Sequence, residues 1–238
     1  MVKLSVNINK IATIRNARGA NTPDVIKAAL DIEQFGADGI TVHPRPDERH
    51  IRKSDVYSLK PLLKTEFNIE GYPSPDFLQM IKEVKPAQVT LVPDPPHVLT
   101  SNAGWDCLKF GDFLKEIIST IKEESGARVS IFLNPEPEQV QAAKETGADR
   151  IELYTEAYAK EYPENPEKAI TPYIETAKKA VELGLGVNAG HDLSLENLEY
   201  FAKKVPGLLE VSIGHALISD ALYFGLQNTV MMYKRKLG

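Results

Sequence analysis

The chain writes the same helix-to-strand junction twice. Gln34-Phe35-Gly36-Ala37-Asp38-Gly39-Ile40 is matched by Glu145-Thr146-Gly147-Ala148-Asp149-Arg150-Ile151. Each copy has a glycine where a helix should stop, because glycine takes the left-handed closing conformation without steric cost. Each then moves into a short apolar run, Ile40 and Val42 in the first copy, that reads as a buried strand. A junction of this kind packs helices on a sheet and places the chain in the α/β class.

The rest of the chain keeps that alternation. Residues 4–8 alternate apolar and polar and form a first strand that brings Asn7 and Asn9 to its end; Ile11 to Gly19 reads as a loop holding Arg15 and Arg18. Thr22-Pro23-Asp24 starts a helix that runs to Phe35. After the second strand, Ser54-Asp55 caps a helix to about Lys64, followed by a strand over 67–72, a helix over 75–84 and a strand over 88–92. An irregular segment from Pro93 to Phe110 carries Thr100, and loops of such length in a compact domain are commonly functional. A helix over 112–124, a strand over 128–133, a helix over 135–146 and a strand over 150–155 come next. A polar stretch, 158–168, leads to a helix over 171–183, a strand over 186–190, a helix over 194–205, a strand over 208–214 and a terminal helix from His215 to Lys236.

These are eight strand–helix units with no second regime of composition, so the strands should be parallel and joined by right-handed crossovers. The expected fold is a closed (β/α)8, or TIM, barrel forming a single domain over 1–238, with extra helical segments. An open doubly wound sheet is the alternative, but no Gly-x-Gly-x-x-Gly follows the first strand. A net charge of −5 argues against a general nucleic-acid binder, and no apolar run is long enough to span a bilayer. Cys107 is the one cysteine, which excludes an internal disulfide framework and, with the early polar N-terminus, suggests a cytoplasmic protein.

In such barrels the site lies at the C-terminal ends of the strands. Those ends supply Asn7, Asn9, His43, Glu70, Thr100, Glu152, His191 and His215. Of the five histidines, His43, His50, His191 and His215 fall at or just after a strand end, while His97 sits in the long loop. Histidine and glutamate gathered on one face suit proton transfer. His43 and His50 are not at a zinc spacing and no cysteine pair exists, so no metal is expected. Asn188-Ala-Gly-His191 and Ser212-Ile-Gly-His215 put a glycine at the ends of strands seven and eight, the usual phosphate cradle of this fold. Arg18 and Arg45 offer a second anion site.

At these residues the sequence resembles the pyridoxine 5′-phosphate synthase family of the deoxyxylulose-dependent vitamin B6 pathway. The matching segments run from Val6-Asn-Ile and Ile11 to Gly19 through Gly36 to Arg45, Arg49-His50-Ile51, Asn68-Ile-Glu70 and Leu91-Val-Pro93, to Val187-Asn-Ala-Gly-His191 and Ile213-Gly-His-Ala216. They span the whole chain in order. The resemblance implies a (β/α)8 barrel that condenses 3-amino-2-oxopropyl phosphate with 1-deoxy-D-xylulose 5-phosphate, without metal or organic cofactor. It makes His43 and Glu70 proton acceptors, His191 a proton donor and Glu152 a stabiliser of charged intermediates. It makes Asn7, Arg18, Gly214 and His215 contacts to the amino-ketone phosphate, and Arg45, His50 and Thr100 contacts to the deoxyxylulose phosphate. It also implies a homo-octamer.

The chain departs from the best-known members at Asn9-Lys10, where they read Asp-His. Asn9 keeps the shape of Asp without its charge, and Lys10 brings a cation that can hold a phosphate, so altered affinity for deoxyxylulose phosphate is expected. Asp192, grouped here with the substrate contacts, carries no firm role. The competing enzyme reading is another phosphate-binding barrel, a sugar-phosphate isomerase or aldolase acting on one phosphorylated substrate. A barrel that only binds a metabolite would not need so many titratable groups.

Overall fold

Eight parallel strands pair in chain order and the last returns to the first, closing a barrel. They are β1 (Lys3–Asn7), β2 (Gly39–Val42), β3 (Glu66–Gly71), β4 (Gln88–Leu91), β5 (Arg128–Leu133), β6 (Arg150–Tyr154), β7 (Gly186–Gly190) and β8 (Leu208–Ile213). The computed structural model describes residues 1–93 and 103–238. Helices interleave: α1 (Asn9–Asn16), α2 (Val25–Gln34), α3 (Lys53–Leu59), α4 (Pro75–Val84), α5 (Cys107–Ser125) and α6 (Pro137–Glu145) in the first part of the chain. They continue with α7 (Glu156–Glu161), α8 (Pro166–Glu182), α9 (Leu198–Lys204), α10 (His215–Phe224) and α11 (Leu226–Lys236). Among the described residues no helix is long and apolar enough to cross a membrane.

The repeated junction has a physical cause. Gly36 and Gly147 take φ of +103° and +85°, as a helix-closing glycine must. The aspartate two residues later then clips onto the strand before it. Asp38 donates its N–H to the Leu4 carbonyl and accepts the Leu4 N–H on Oδ2 at 2.8 Å. Asp149 does the same with Val129, again at 2.8 Å. Both bonds satisfy backbone at the open N-terminal rim of the barrel, where the ladder has no further partner.

Alternation along each strand sorts the chain into two environments. Leu4, Val6, Ile40, Val42, Val129 and Ile131 face outward, fully buried under the helices. The inward face is polar. Ser5 and Thr41 share a 2.6 Å hydrogen bond, and Thr90 donates to Asn68 at 3.1 Å. Toward the N-terminal end Arg128 pairs with Glu66, and Arg150 donates to Asn188 at 3.2 Å and Glu210 at 3.5 Å. At the opposite mouth Val92, Phe132 and Tyr154 form a small separate apolar cluster.

Four segments differ from the expectation. The stretch read as a loop after β1 is largely the helix α1, because Ile11, Ala12 and Arg15 recur on one face and are buried. Helix α5 begins at Cys107, capped by Asp106, which accepts from the Lys109 N–H, and bends at Phe110 instead of starting beyond it. The polar stretch 158–168 contains most of α7 and the start of α8, anchored by the fully buried Tyr158, whose ring meets Tyr173 and Phe201 edge-on. The terminal helix is two helices, broken where Gly225 takes φ +76°.

Candidate active site

The strand ends gather their polar residues through a chain of short-range bonds that starts at Asn7. Its Oδ1 accepts the Asn9 backbone N–H at 3.0 Å, which fixes the amide so that Nδ2 faces Glu70 Oε2 and donates to it at 3.3 Å. Asn9 in turn accepts the His43 N–H on Oδ1 at 2.9 Å. Glu70 and His43, on separate strands, are thereby tied to one another through β1. The second position of the Asn9-Lys10 departure differs in kind, since Lys10 is exposed in the first turn of α1.

Burial sets the protonation of this group. His43 is buried, and burial first, then the charges of Arg45, His50 and Arg49, holds its pKa well below the ordinary imidazole value. His43 is therefore a neutral ring, able to accept a proton. His50 lies edge-on to it at 6.1 Å and is pushed down to about 4 by burial and by Arg45. Its Nδ1 accepts the Ile51 N–H at 2.9 Å, so Nε2 carries the proton and can donate to an anion. Arg45 is buried beside both rings. His43 and Arg45 line one side of a cavity of about 310 Å³ that reaches α4 past Tyr72 and Phe77.

Two carboxyls share the interior of the mouth. Burial pushes Glu70 up to about 7, with a Ser212 hydrogen bond and the Arg45 charge pulling the other way. Glu152 is pushed well above the usual carboxylate range by burial, then by the negative charges of Glu70 and Glu210. Thr90 Oγ1, whose proton goes to Asn68, lies 3.4 Å from Glu152 Oε2, where the protonated carboxyl can donate to it. The glycines near these groups are required by packing: a Cβ on Gly190 would sit 2.6 Å from the Ser212 carbonyl and 2.8 Å from Glu152 Oε1. A Cβ on Gly214 would press on the Asn7 side chain at 3.1 Å.

His191 follows β7 with φ +93°, and its Nδ1 lies 2.7 Å from Asp192 Oδ2. Burial alone would lower its pKa, but the Asp192 hydrogen bond and the charges of Asp192, Glu152 and Glu156 outweigh it, so the net shift is upward. The shift is toward imidazolium here and toward the neutral ring at His43, the separation of titrations that lets one site both take and give protons.

The remaining expected residues fall into two groups. His215 opens α10 directly after Gly214 and is exposed. Arg18 is exposed in the turn after α1. Thr100 lies outside the described residues, as does His97. Cys107 is buried and pushed up to about 12, so it stays a thiol. Among the described residues no cluster of three or more His, Cys, Asp or Glu side chains is arranged to hold a metal ion. Ser212 beside Glu70 and Thr90 beside Glu152 are not among the expected site residues, although Ser212 opens one of the two glycine motifs. For Thr90 the available signal is register, since it pairs with Glu70 across β3 and β4.

Comparison with known proteins agrees across the full length. The family model described as pyridoxal phosphate biosynthesis protein PdxJ matches residues 4–238. The pyridoxine 5′-phosphate synthase of Bacteroides thetaiotaomicron is 62% identical over 237 residues, covering 100% of both chains. That of Cytophaga hutchinsonii is 60% identical, covering 100% of this chain and 99% of its own. Among solved structures, phosphoribosyl anthranilate isomerase from Thermotoga maritima superposes with a TM-score of 0.62 at 15% identity, covering 100% of this chain and 98% of that one. Thiamine phosphate pyrophosphorylase from Pyrococcus furiosus gives 0.62 at 14%, covering 99% and 95%. At such identities the shared feature is the barrel. The full-length family match and the high identity to curated synthases leave one conclusion: this chain belongs to the pyridoxine 5′-phosphate synthase family.

Proposed function

We propose that the chain condenses 3-amino-2-oxopropyl phosphate with 1-deoxy-D-xylulose 5-phosphate to pyridoxine 5′-phosphate, releasing inorganic phosphate and water. The observation that carries the residue roles is the opposed titration at one mouth: a buried neutral His43, Glu70 near 7 and a His191 biased toward imidazolium. Joining an amine to a ketone expels water, and closing the ring needs protons removed from carbon and delivered to departing oxygen. His43 and Glu70 remove protons; His191 delivers them. Glu152, an acid kept neutral by burial, can donate a hydrogen bond to a charged intermediate and ionise as that charge turns positive.

Two phosphorylated substrates need two anion sites. Gly214 and His215, at the start of α10, with Asn7 and Arg18 offer backbone N–H, ring and guanidinium donors to the amino-ketone phosphate. Arg45 and the Nε2–H of His50, with Lys10 and Thr100, serve the deoxyxylulose phosphate. Asn9 acts on that second substrate through the position of His43, whose backbone it holds. The work is cytoplasmic and the active form a homo-octamer, an association supported by exposed apolar residues on α10 and α11.

The decisive experiment mixes metal-stripped protein with both substrates and follows pyridoxine 5′-phosphate and released phosphate. Product is expected without added metal, and Glu70→Gln should lower turnover by about 10²-fold or more while both substrates still bind. Consumption of either substrate alone would replace this reading with an isomerase or aldolase, and unchanged turnover in Glu70→Gln would remove Glu70 from the proton transfers.

A further inference from the structure

The chain bends as it leaves β7, and at the bend His191 adopts φ +93°, a conformation that residues with side chains rarely take. Such strain persists where the surroundings over-determine it. Here they do. The His191 N–H donates to the Ser212 carbonyl at 3.2 Å, and the Asp192 N–H to Thr155 Oγ1 at 3.1 Å. Thr155, fully buried, donates to the Gly190 carbonyl at 2.7 Å, and Asn197 Nδ2 holds the Asp192 carbonyl at 3.3 Å. Three elements thus fix a turn whose result is one contact, Asp192 Oδ2 at 2.7 Å from His191 Nδ1.

We propose that Asp192 is a positioning residue for the proton donor: its carboxylate holds His191 by Nδ1 and leaves Nε2 as the nitrogen that delivers the proton. The inference rests on the synthase reading above and reassigns Asp192 from substrate contact to a partner of His191. A carboxylate directed at a phosphorylated substrate would repel it, whereas bonded to the ring it stabilises the imidazolium and selects the tautomer. The ring has a second neighbour: Tyr154 meets it edge-on at 5.4 Å and donates its own hydroxyl to Glu156 at 2.7 Å. The ionisable groups facing this pair are Glu152 and Tyr154 from β6, Glu156 and Lys160 from α7, and Tyr173 from α8. The carboxylates among them add to the effect of Asp192 on the ring, and Lys160 faces Asp192 from α7.

Asp192→Asn keeps the shape and every backbone bond of the turn and removes the charge; Asp192→Ala removes the acceptor too. Two readouts are needed, the pH profile of kcat and the titration of His191 followed by NMR with His191→Gln for assignment. In Asp192→Asn, His191 should titrate at lower pH than in the parent, and the alkaline limb of kcat should move down with it. At pH 8 kcat should fall roughly tenfold with both KM values within about twofold, and Asp192→Ala should fall further. An unmoved His191 titration overturns the proposal, as does a tenfold rise in the KM of the amino-ketone phosphate with the limb in place. Parent protein that forms no product while the His191 shift appears would fail the synthase reading and leave the pair itself standing.

Discussion

Glu152 shows what the mouth of this barrel asks of a single residue. It is buried near the carboxyls of Glu70 and Glu210, and the Thr90 hydroxyl 3.4 Å away spends its own proton on Asn68. A carboxyl so placed holds its proton in the folded chain at a pH where the unfolded chain has released it. Its pKa is raised on folding, so whatever stability the protonated form provides is present at low pH and is lost as pH rises toward the folded value. Glu152→Gln keeps the shape without the proton. Its gain in Tm over the parent should therefore be small at pH 4.5 and grow toward pH 8. Each unit of upward shift is worth about 1.4 kcal/mol, or about 3 °C in a chain of this size. Scanning calorimetry at the two pH values checks it; an equal gain at both would mean Glu152 is already ionised in the fold. On the role proposed for Glu152 at charged intermediates, turnover should fall in the same variant as stability rises.

At the scale of elements, the loop after β2 owes its shape to α1. Arg15, fully buried, makes a two-pronged ion pair with Asp55 at 2.7 and 2.9 Å and donates to the His50 carbonyl at 3.1 Å. Asn16 adds a bond to the same carbonyl at 2.7 Å. Removing one partner of a buried pair strands the other, so Arg15→Ala should cost about 3–5 kcal/mol in chemical denaturation. Arg15→Met with Asp55→Leu should recover most of that loss. With the clamp gone, the recovered protein should still show a raised KM for the deoxyxylulose phosphate, because His50 rides on the released loop; an unchanged KM would confine Arg15 to stability.

This clamp also marks the boundary of what sequence makes legible. The eight strands and the repeated junction are plain in the pattern, because inward and outward faces and helix-closing glycines have local signatures. Strand-end residues such as His43 and Glu70 follow from topology once the barrel is recognised, whereas Glu152, expected at a strand end, lies mid-strand in β6 and faces the barrel interior. Helix α1 does not follow, since it has no side-chain cap and its buried face includes Arg15, whose partner Asp55 lies 40 positions away. The His191–Asp192 contact was hidden for a similar reason: it depends on a positive φ imposed by Thr155 and Asn197 from other segments.

The whole molecule inverts the ordinary distribution of polarity. Its barrel interior is polar from the Glu66–Arg128 pair to Glu70, so the apolar core must lie between strands and helices, and each helix covers its strands with one face. Helices α10 and α11 leave more. Leu222 and Tyr223 are 74% and 85% exposed at the end of α10; Phe224 is exposed beside the break at Gly225, and Met231 within α11. Exposed apolar side chains of this size on a helix pair call for a cover. A second copy of the chain is the cover expected here, and Leu222 and Tyr223, outside the catalytic mouth, are the positions that test it. Leu222→Glu with Tyr223→Glu touches no buried contact, so its cost to the folded barrel should stay near 0.5 kcal/mol per position. Placing two more negative charges on a surface that meets its own copy, in a chain already at −5, should shift light-scattering mass to a smaller species. Parent and variant of equal mass, with matching circular dichroism, would place the association surface elsewhere on the barrel.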